Sequence, residues 1–233
     1  MSRSAARQAR RSAPRTPPGT PLGTPLARAF YDRDTSVVAR ELLGAVLESR
    51  SPDGVASVRI VETEAYVGPH DPACHAAAGI TPRTKYLFGP PGIAYVYLIY
   101  GMYWCFNAVT REEGLGSAVL VRAGAPLAGE ELMMRRRPRV RSRVELTNGP
   151  GKLCLALDVG AANNGSWLDE PPVRILAGDS VPDRDVVVTP RIGITKAADW
   201  PLRYFIGGDP FVSKTPASFP RTGWPPALRD TSG

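Results

Sequence analysis

A hairpin signal in the middle of the chain constrains the fold more than any other feature. Aromatic and aliphatic side chains dominate the runs 93–99 and 103–109, and Tyr100-Gly101-Met102 separates them. Such runs favour β-strands, and a glycine in a short connection favours a tight turn. The stretch 86–110 is charge-free and long enough to consider as a membrane span, but prolines and glycines interrupt it and its aromatic residues cluster centrally. We therefore predict a buried antiparallel hairpin and no membrane partner.

The overall composition is typical of one folded domain with a negatively charged partner. The chain has 233 residues, 43% of them hydrophobic, and a formal charge of +7. A core can therefore form, and phosphate groups are the expected counter-charge. Cys74, Cys105 and Cys154 show no paired spacing, which favours reduced thiols in the cytoplasm. We expect a nucleoid-associated monomer without an obligate protein partner.

The order of short elements predicts an α+β domain with a curved, largely antiparallel β-sheet, a protruding β-hairpin and short helices around it. The predicted bounds are 1–26 for a disordered basic tail, 27–216 for the domain and 217–233 for a Pro-rich C-terminal tail. Helices are predicted at 35–43, 82–87, 127–136 and 153–157. Strands are predicted at 45–49, 56–66, 93–99, 103–109, 117–123, 173–176, 186–189, 191–195 and 202–206.

The predicted N-terminal tail carries arginines but no acidic residue. Its prolines would break the amphipathic helix that an organellar targeting peptide needs. Two interpretations stay open: the tail adds non-specific affinity for phosphates, or it is a solvated segment without a role.

Two glutamates lie in the otherwise apolar strand that ends at Tyr66. Side chains two residues apart share a face of a strand, so one face is predicted to carry Val58, Ile60, Glu62, Glu64 and Tyr66. The two carboxylates would lie roughly 7 Å apart and would raise each other's pKa if they are poorly solvated. A carboxylate in such a place is a candidate general base. A solvent-facing strand with ordinary acids is the alternative, and spacing does not say which glutamate would be the base.

The hairpin tyrosines are candidates for contacts with nucleic-acid bases. Tyr100 lies at the predicted tip, where an aromatic side chain can act as a wedge between base pairs. Tyr97, set back from the tip, can stack on an extruded base. A satisfied aromatic core cluster is the alternative interpretation, and it is the one we adopt for Tyr95, Tyr103, Trp104 and Phe106.

The segment from His70 to His75 invites a zinc interpretation, with Asp71 and Cys74 as further ligands. Four potential ligands within six residues are crowded, and no second Cys/His pair follows at a familiar spacing. We therefore predict no metal and no cofactor. His75 is instead predicted to stack or hydrogen-bond in a pocket, because imidazole is both aromatic and a donor.

Several basic residues are candidates for phosphate contacts or for buried ion pairs. Arg122 ends an apolar strand, so it needs a partner such as Glu64, unless it extends to solvent. Gly149-Pro150-Gly151-Lys152 lacks the spacing of a nucleotide-triphosphate loop, but a glycine-rich helix start with a lysine can hold one backbone phosphate. The arginine run 135–143 is predicted as a solvated loop, with DNA contact as a secondary role.

Residue chemistry alone predicts a basic, base-directed nucleic-acid enzyme. Two other functions stay open at this point. The tyrosines could form a single-strand stacking platform without chemistry. The segment from His70 to His75 could support a metal-dependent nuclease.

Specific motifs resemble the alkyladenine (3-methyladenine) DNA glycosylase family, in one order over about residues 28–215. The first and third of the matching segments are highly specific. The matches are Arg59-Ile-Val-Glu-Thr-Glu-Ala-Tyr66, His75, Tyr95-Val-Tyr-Leu-Ile-Tyr-Gly-Met-Tyr103, Asn107, Arg122, Gly149-Pro-Gly-Lys-Leu153 and Thr189-Pro-Arg-Ile-Gly193.

The resemblance implies a monofunctional glycosylase that removes alkylated or deaminated purines from double-stranded DNA in base excision repair. It implies that Glu64 activates water, that Arg122 orients this water, and that Tyr100 fills the gap left in the duplex. The implied base pocket consists of Tyr66, His75, Tyr97 and Asn107. We further expect contacts to the DNA backbone from Gly149, Gly151, Lys152 and Arg191.

Overall fold

One nine-stranded sheet forms the centre of the computed structural model, which describes residues 23–225. The strands are β1 (Val46–Ser51), β2 (Gly54–Tyr66), β3 (Ala94–Ile99), β4 (Tyr103–Thr110), β5 (Ser117–Ala128), β6 (Val173–Leu176), β7 (Val186–Thr189), β8 (Arg203–Ile206) and β9 (Thr222–Gly223). The main path through the sheet is β3-β4-β5-β2-β8-β7-β9, while β1 joins β2 to β6. All the pairings described are antiparallel, so the predicted α+β class is confirmed.

In the described part of the chain, four short α-helices accompany the sheet: α1 (Arg28–Tyr31), α2 (Thr35–Glu41), α3 (Glu130–Arg136) and α4 (Pro150–Leu157). The predicted cap of α2 is present, because the Asp34 carboxylate accepts hydrogen bonds from the first-turn amides of Ser36 and Val37 at 2.9 and 3.2 Å. Side chains from α2, α4 and the sheet share the main hydrophobic core. Across residues 23–225 no helix is both long and apolar enough to cross a membrane.

The pairing of β2 with β5 contains a bulge at the position that decides which side chains face the core. Ile60 pairs with Gly124 and Glu62 pairs with Ala123, so Val61 is one extra residue on β2. A bulge of this kind turns the following side chains to the opposite face of the sheet.

A second irregularity follows at once, where Arg122 is the extra residue on β5. Beyond it, the Thr63 hydroxyl donates to the carbonyl oxygen of Ala39 in α2 at 2.8 Å, on the core side. Glu62 and Glu64 alternate with Thr63 and therefore point to the other face. The prediction that one face carries all the even-numbered residues from 58 to 66 is wrong, because the first bulge interrupts the alternation.

The predicted hairpin is confirmed, with β3 and β4 paired from Ala94–Ala108 to Ile99–Tyr103. The Met102 amide donates to the Ile99 carbonyl at 3.2 Å, and the two residues between them have positive φ angles, 53° at Tyr100 and 69° at Gly101. Positive φ at both central positions is typical of the turns whose twist matches a hairpin. The conformation leaves the Tyr100 side chain 79% exposed at the tip.

Three predicted elements differ in the structure. Residues 82–87 form successive turns instead of a helix, and residues 191–195 form a loop instead of a strand. The helix predicted from 127 begins at Glu130, because β5 continues to Ala128. Gly129 then has a φ of 72°, and a Cβ there would lie 2.3 Å from the Val55 carbonyl oxygen, so the turn into α3 requires glycine.

The arginine run 135–143 is not simply a solvated loop. Arg136 donates to Ser51 Oγ and the Ala156 carbonyl, while Arg137 donates to the Leu146 carbonyl. These hydrogen bonds hold the segment against the body of the protein. Arg135, Arg139 and Arg141 remain exposed.

Both predicted domain boundaries fall inside packed structure. Leu26 is buried, and its amide donates to the Ile175 carbonyl at 2.9 Å. At the other end, β9 pairs with β7, and Trp224 packs its ring on Tyr204 with centroids 5.5 Å apart. The folded part therefore extends beyond the predicted 27–216 at both ends. The rest of the two predicted tails, residues 1–22 and 226–233, lies outside the described residues.

Candidate active site

A pocket of about 210 Å³ opens beside the β3–β4 hairpin, on the face of the sheet to which the bulge turns the end of β2. The hairpin, the segment before residue 75, the loop after Arg191 and the first residue of α4 all contribute to its wall. The wall includes all four predicted pocket residues, Tyr66, His75, Tyr97 and Asn107, together with Tyr95 and Arg122.

Glu64 lies behind this wall and is fully buried. Its Oε2 accepts hydrogen bonds from the Tyr66 hydroxyl at 3.0 Å and from Arg122 Nη1 at 3.1 Å, and its Oε1 accepts one from the Ile192 amide at 2.7 Å. The predicted pairing of Glu64 with Arg122 is confirmed, and the alternatives of a solvent-facing strand and a solvent-directed arginine are wrong. A carboxylate accepts about four hydrogen bonds, so one position on Oε1 remains for a further donor.

Glu62 has a different environment, although it too is fully buried. Its carboxylate accepts hydrogen bonds from Arg122 Nε at 2.9 Å, from Arg203 Nε at 2.7 Å, and from the amide and hydroxyl of Ser213, both at 2.7 Å. Burial alone would raise the pKa of Glu62, but Arg122, Arg203 and Ser213 outweigh it and lower the pKa below its usual value. The pKa of Glu62 is therefore below its usual value, and not above it as the spacing of the two glutamates predicted.

The two glutamates are thus distinguished by their donors, which spacing in the sequence does not reveal. Four donors hold Glu62, three on Oε1 and one on Oε2, and two of the residues that supply them, Arg203 and Ser213, do not line the pocket. The three donors to Glu64 come from Tyr66, Arg122 and Ile192, which all line the pocket, so Glu64 lies directly behind its wall. Arg122 connects the two carboxylates, and together they raise the pKa of its guanidinium against the effect of burial.

His75 and Tyr97 lie together on the aromatic side of the pocket, with ring centroids 4.5 Å apart and planes inclined by 69°. The Tyr95 hydroxyl is 2.9 Å from His75 Nδ1 and orients the imidazole. Burial, with a smaller contribution from Arg83, lowers the pKa of His75, so the ring is neutral at pH 7. We had assigned Tyr95 to the core alone, and its hydrogen bond to His75 was not apparent from the sequence.

Tyr66 and Asn107 complete the predicted pocket. The Arg191 guanidinium lies over the Tyr66 ring at 4.7 Å from its centroid, so one face of that ring is already covered. The Asn107 amide nitrogen donates to the Tyr95 carbonyl at 2.9 Å. This bond fixes the orientation of the amide at the pocket.

Of the residues predicted to contact the DNA backbone, Arg191 is placed differently from the prediction. Its side chain is fully buried and forms an ion pair with Asp71, so it is not available to a phosphate. Lys152 is exposed in the first turn of α4, where its Nζ donates to Asn148 Oδ1 at 2.8 Å. Gly149 immediately precedes α4. Gly151 lets that helix approach Tyr103, because a Cβ at this position would lie 3.0 Å from the Tyr103 side chain.

The four side chains considered as metal ligands do not converge. Asp71 is occupied by Arg191, the Cys74 thiol lies 3.5 Å from the Gly116 carbonyl, and His70 is exposed. His75 is turned towards Tyr95. Within residues 23–225 no group of three or more potential ligands is close enough to hold a metal ion. The metal-dependent alternative is therefore not supported by this segment.

Comparison with known proteins agrees with the motifs. A sequence model of the family described as Methylpurine-DNA glycosylase (MPG) matches residues 29–210. A protein of Methanocella arvoryzae named "Putative 3-methyladenine DNA glycosylase" is 47% identical over 190 residues, which cover 80% of this chain and 94% of the relative. A relative of the same name in Myxococcus xanthus is 48% identical over 191 residues, which cover 81% of this chain and 93% of the relative. Another in Legionella pneumophila is 44% identical over 193 residues, which cover 81% of this chain and 97% of the relative. The resemblance is thereby confirmed, and the chain belongs to the methylpurine-DNA glycosylase family.

Proposed function

We propose that this protein is a monofunctional DNA glycosylase that hydrolyses the N-glycosidic bond of damaged purines flipped out of duplex DNA. The proposed substrates are 3-methyladenine, 7-methylguanine, hypoxanthine and ethenoadenine. Family membership supports the reaction class. The observation that carries the proposal is a buried carboxylate, Glu64, held by three donors directly behind an aromatic pocket.

The size and lining of the pocket suit a single flat base. Its 210 Å³ is below the roughly 300–1,000 Å³ of pockets for drug-sized ligands. The faces of Tyr66 and Tyr97 attract bases alkylated at N3 or N7, because these bases are cationic, and such contacts contribute about 0.5–2 kcal/mol each. The neutral His75 ring adds a stacking surface without repelling the cation. Asn107 disfavours unmodified guanine by opposing its exocyclic amine; 7-methylguanine carries the same amine, but its positive charge is attracted to the aromatic faces and offsets this cost.

The proposed reaction uses the remaining acceptor position of Glu64. A water molecule donates a hydrogen bond to Oε1, and its oxygen attacks the sugar carbon C1′ as the bond to the base nitrogen breaks. The carboxylate takes the water proton, and the electron pair of the broken bond leaves with the base. An alkylated cation thereby becomes neutral, whereas hypoxanthine or ethenoadenine leaves as an anion that takes up a proton from solvent. The negative charge of Glu64 also stabilises the oxocarbenium-like transition state. Arg122 and the Ile192 amide hold the carboxylate in place throughout.

Water is the proposed nucleophile because none of the residues that line the pocket, all within 23–225, is a lysine. Borohydride trapping is therefore expected to give no covalent protein–DNA adduct. Tyr100, exposed at the hairpin tip, would occupy the space that the flipped nucleotide leaves and offset part of the cost of unstacking.

The experiment that tests the proposal measures release of free base from duplexes that contain hypoxanthine, ethenoadenine or an alkylated purine. Glu64→Gln keeps the size of the side chain but removes the base, so the single-turnover rate should fall by about 10²–10⁴-fold. Glu48→Gln is the matched control, because Glu48 pairs with Arg174 in β1 and β6, outside the pocket.

Three results would contradict the proposal. Base release by Glu64→Gln within threefold of the Glu48→Gln control would exclude Glu64 as the base. Tighter binding to single strands than to damaged duplex, with no base release by the wild type, would favour the stacking platform instead. Loss of base release on addition of EDTA would support a metal-dependent reaction instead.

A further inference from the structure

A fully buried ion pair lies behind the pocket and takes no part in the proposed chemistry. Asp71 and Arg191 are 120 residues apart, and both side chains are inaccessible to solvent. Arg191 Nη1 lies 2.5 Å from Asp71 Oδ2, and Nη2 lies 2.9 Å from Oδ1. Such a bidentate ion pair fixes the relative orientation of the guanidinium and the carboxylate as well as their distance.

The Asp71 end of the pair organises the segment between two pocket residues. Its Oδ2 accepts a hydrogen bond from the Val67 amide at 3.3 Å, and its Oδ1 accepts one from the Ala73 amide at 3.0 Å. Val67 follows Tyr66 directly, and Ala73 lies two residues before His75. The Asp71 carboxylate therefore fixes the backbone next to Tyr66 relative to the backbone next to His75.

The Arg191 end reaches the other side of the same pocket. Nη1 also donates to the Ala65 carbonyl at 3.0 Å, and the guanidinium covers one face of the Tyr66 ring. The next residue, Ile192, lines the pocket and donates its amide hydrogen to Glu64 at 2.7 Å. A movement of Arg191 would therefore shift both a pocket ring and a donor to the catalytic carboxylate.

We propose that Asp71 and Arg191 are positioning residues that set the location of Glu64 relative to the bound base. This inference rests on the proposed function. The pair joins the three chain segments that carry Glu64–Val67, His75 and Ile192, and no reacting atom needs to touch it. A fully buried ion pair is weak evidence for stability, since apolar replacements are often as stable. Displacements of about 1 Å can, however, reduce catalysis about 10²-fold.

The test compares Asp71→Asn, Arg191→Met and Arg191→Lys with a control at a buried arginine whose ion pair lies elsewhere. Arg40→Lys is that control, because Arg40 pairs with Asp183 and does not line the pocket. Single-turnover base release at saturating enzyme should fall at least tenfold for Asp71→Asn and Arg191→Met. Arg191→Lys keeps the charge and should recover part of the rate. The apparent Kd for duplex with an abasic site should stay within threefold, because the hairpin tip and the exposed basic residues are unchanged.

A second measurement does not depend on base release. Hydrogen exchange at the Ile192 amide, followed by NMR, should accelerate at least tenfold in Arg191→Met and stay unchanged in Arg40→Lys. If Arg191→Met does not fold, Arg191→Lys takes its place with a smaller acceleration of the same sign.

The outcomes separate this inference from the proposed function. If the wild type releases no base but the Ile192 amide responds as expected, the glycosylase proposal fails while the positioning of Glu64 stands. If the wild type is active and the pair variants lose no more rate than Arg40→Lys, or the Ile192 amide does not respond, the pair is only structural and the inference is overturned.

Discussion

The buried charge network behind the pocket and the tip of the β3–β4 hairpin are opposite in almost every property. Glu62, Glu64 and Arg122 are buried, and the two carboxylates receive seven hydrogen bonds between them. Tyr100 and Met102 at the tip are 79% and 65% exposed. The charges of the network have their partners within the protein, whereas the hairpin tip leaves the side chains of Tyr100 and Met102 exposed.

The difference follows from what each region has to contact. Charges removed from water need all their partners in place before the reaction begins, because an unpaired buried charge is strongly destabilising. An apolar side chain exposed at the tip of a hairpin contributes little to folding and can be buried only by a partner. The network therefore depends on the fold alone, whereas the exposed tip is available to a partner, which in the proposed function is DNA. Substitutions in the two regions should consequently affect stability and activity in different proportions.

The largest effect is expected for Arg122→Met, which leaves two buried carboxylates without their shared cation. The free energy of unfolding should decrease by about 3–5 kcal/mol, and base release should fall by at least 10²-fold as Glu64 loses one of its three donors. Chemical denaturation and single-turnover kinetics measure the two quantities. A variant with normal stability would show that the network does not need its central charge.

A smaller effect, confined to activity, is expected for Tyr100→Ala. Base release from duplex should decrease about tenfold, corresponding to roughly 1.4 kcal/mol, because the space left by the flipped nucleotide is no longer filled. Stability should change by no more than about 0.5 kcal/mol, as for most surface substitutions. Leu127→Ala, at a side chain 56% exposed outside the hairpin, is the control. The wedge role is wrong if Tyr100→Ala loses activity only on single strands.

A smaller effect, on the salt dependence of DNA binding, is expected for the exposed Lys152 of α4. If Lys152 contacts one phosphate, Lys152→Ala should weaken binding to all duplexes equally and reduce the slope of log K against log salt by about 1. Fluorescence anisotropy titrations at several salt concentrations measure this slope. Arg184→Ala removes the same charge from a side chain 83% exposed and should leave the slope unchanged.

The smallest effect is the change in protein stability as His75 in the pocket titrates with pH. Burial and Arg83 lower the pKa of His75 below its usual 6.5. The unfolded chain then binds a proton at higher pH than the folded protein, so the stability from neutral His75 is fully present above pH 6.5 and decreases as the pH falls towards the folded pKa. NMR titration should show the His75 ring titrating below pH 6.5, with His75→Asn identifying its signal. Titration above pH 6.5 would show that the ring is not desolvated.

Local patterns in the sequence predicted most of the regular structure. The strands 173–176 and 186–189 have the predicted bounds. The hairpin and the Asp34 cap are also present, and these two depend on contacts between residues close in the sequence. The helix predicted at 82–87 and the strand predicted at 191–195 were wrong. In the second case, contacts with distant residues determine the conformation, since Arg191 pairs with Asp71 and Ile192 with Glu64.

The sequence by itself determined the family, the α+β class and the set of acidic and aromatic residues at the pocket, because motifs and periodicity are properties of consecutive residues. Only the tertiary structure decided which face of β2 carries the acids, which glutamate is bonded only to pocket residues, and that Arg191 is buried. The bulge at Val61 shifts the side-chain alternation by one residue without a signal in the residue types. The hydrogen-bond donors that distinguish Glu62 from Glu64 come from segments that are distant in the sequence and lie together only in the folded protein.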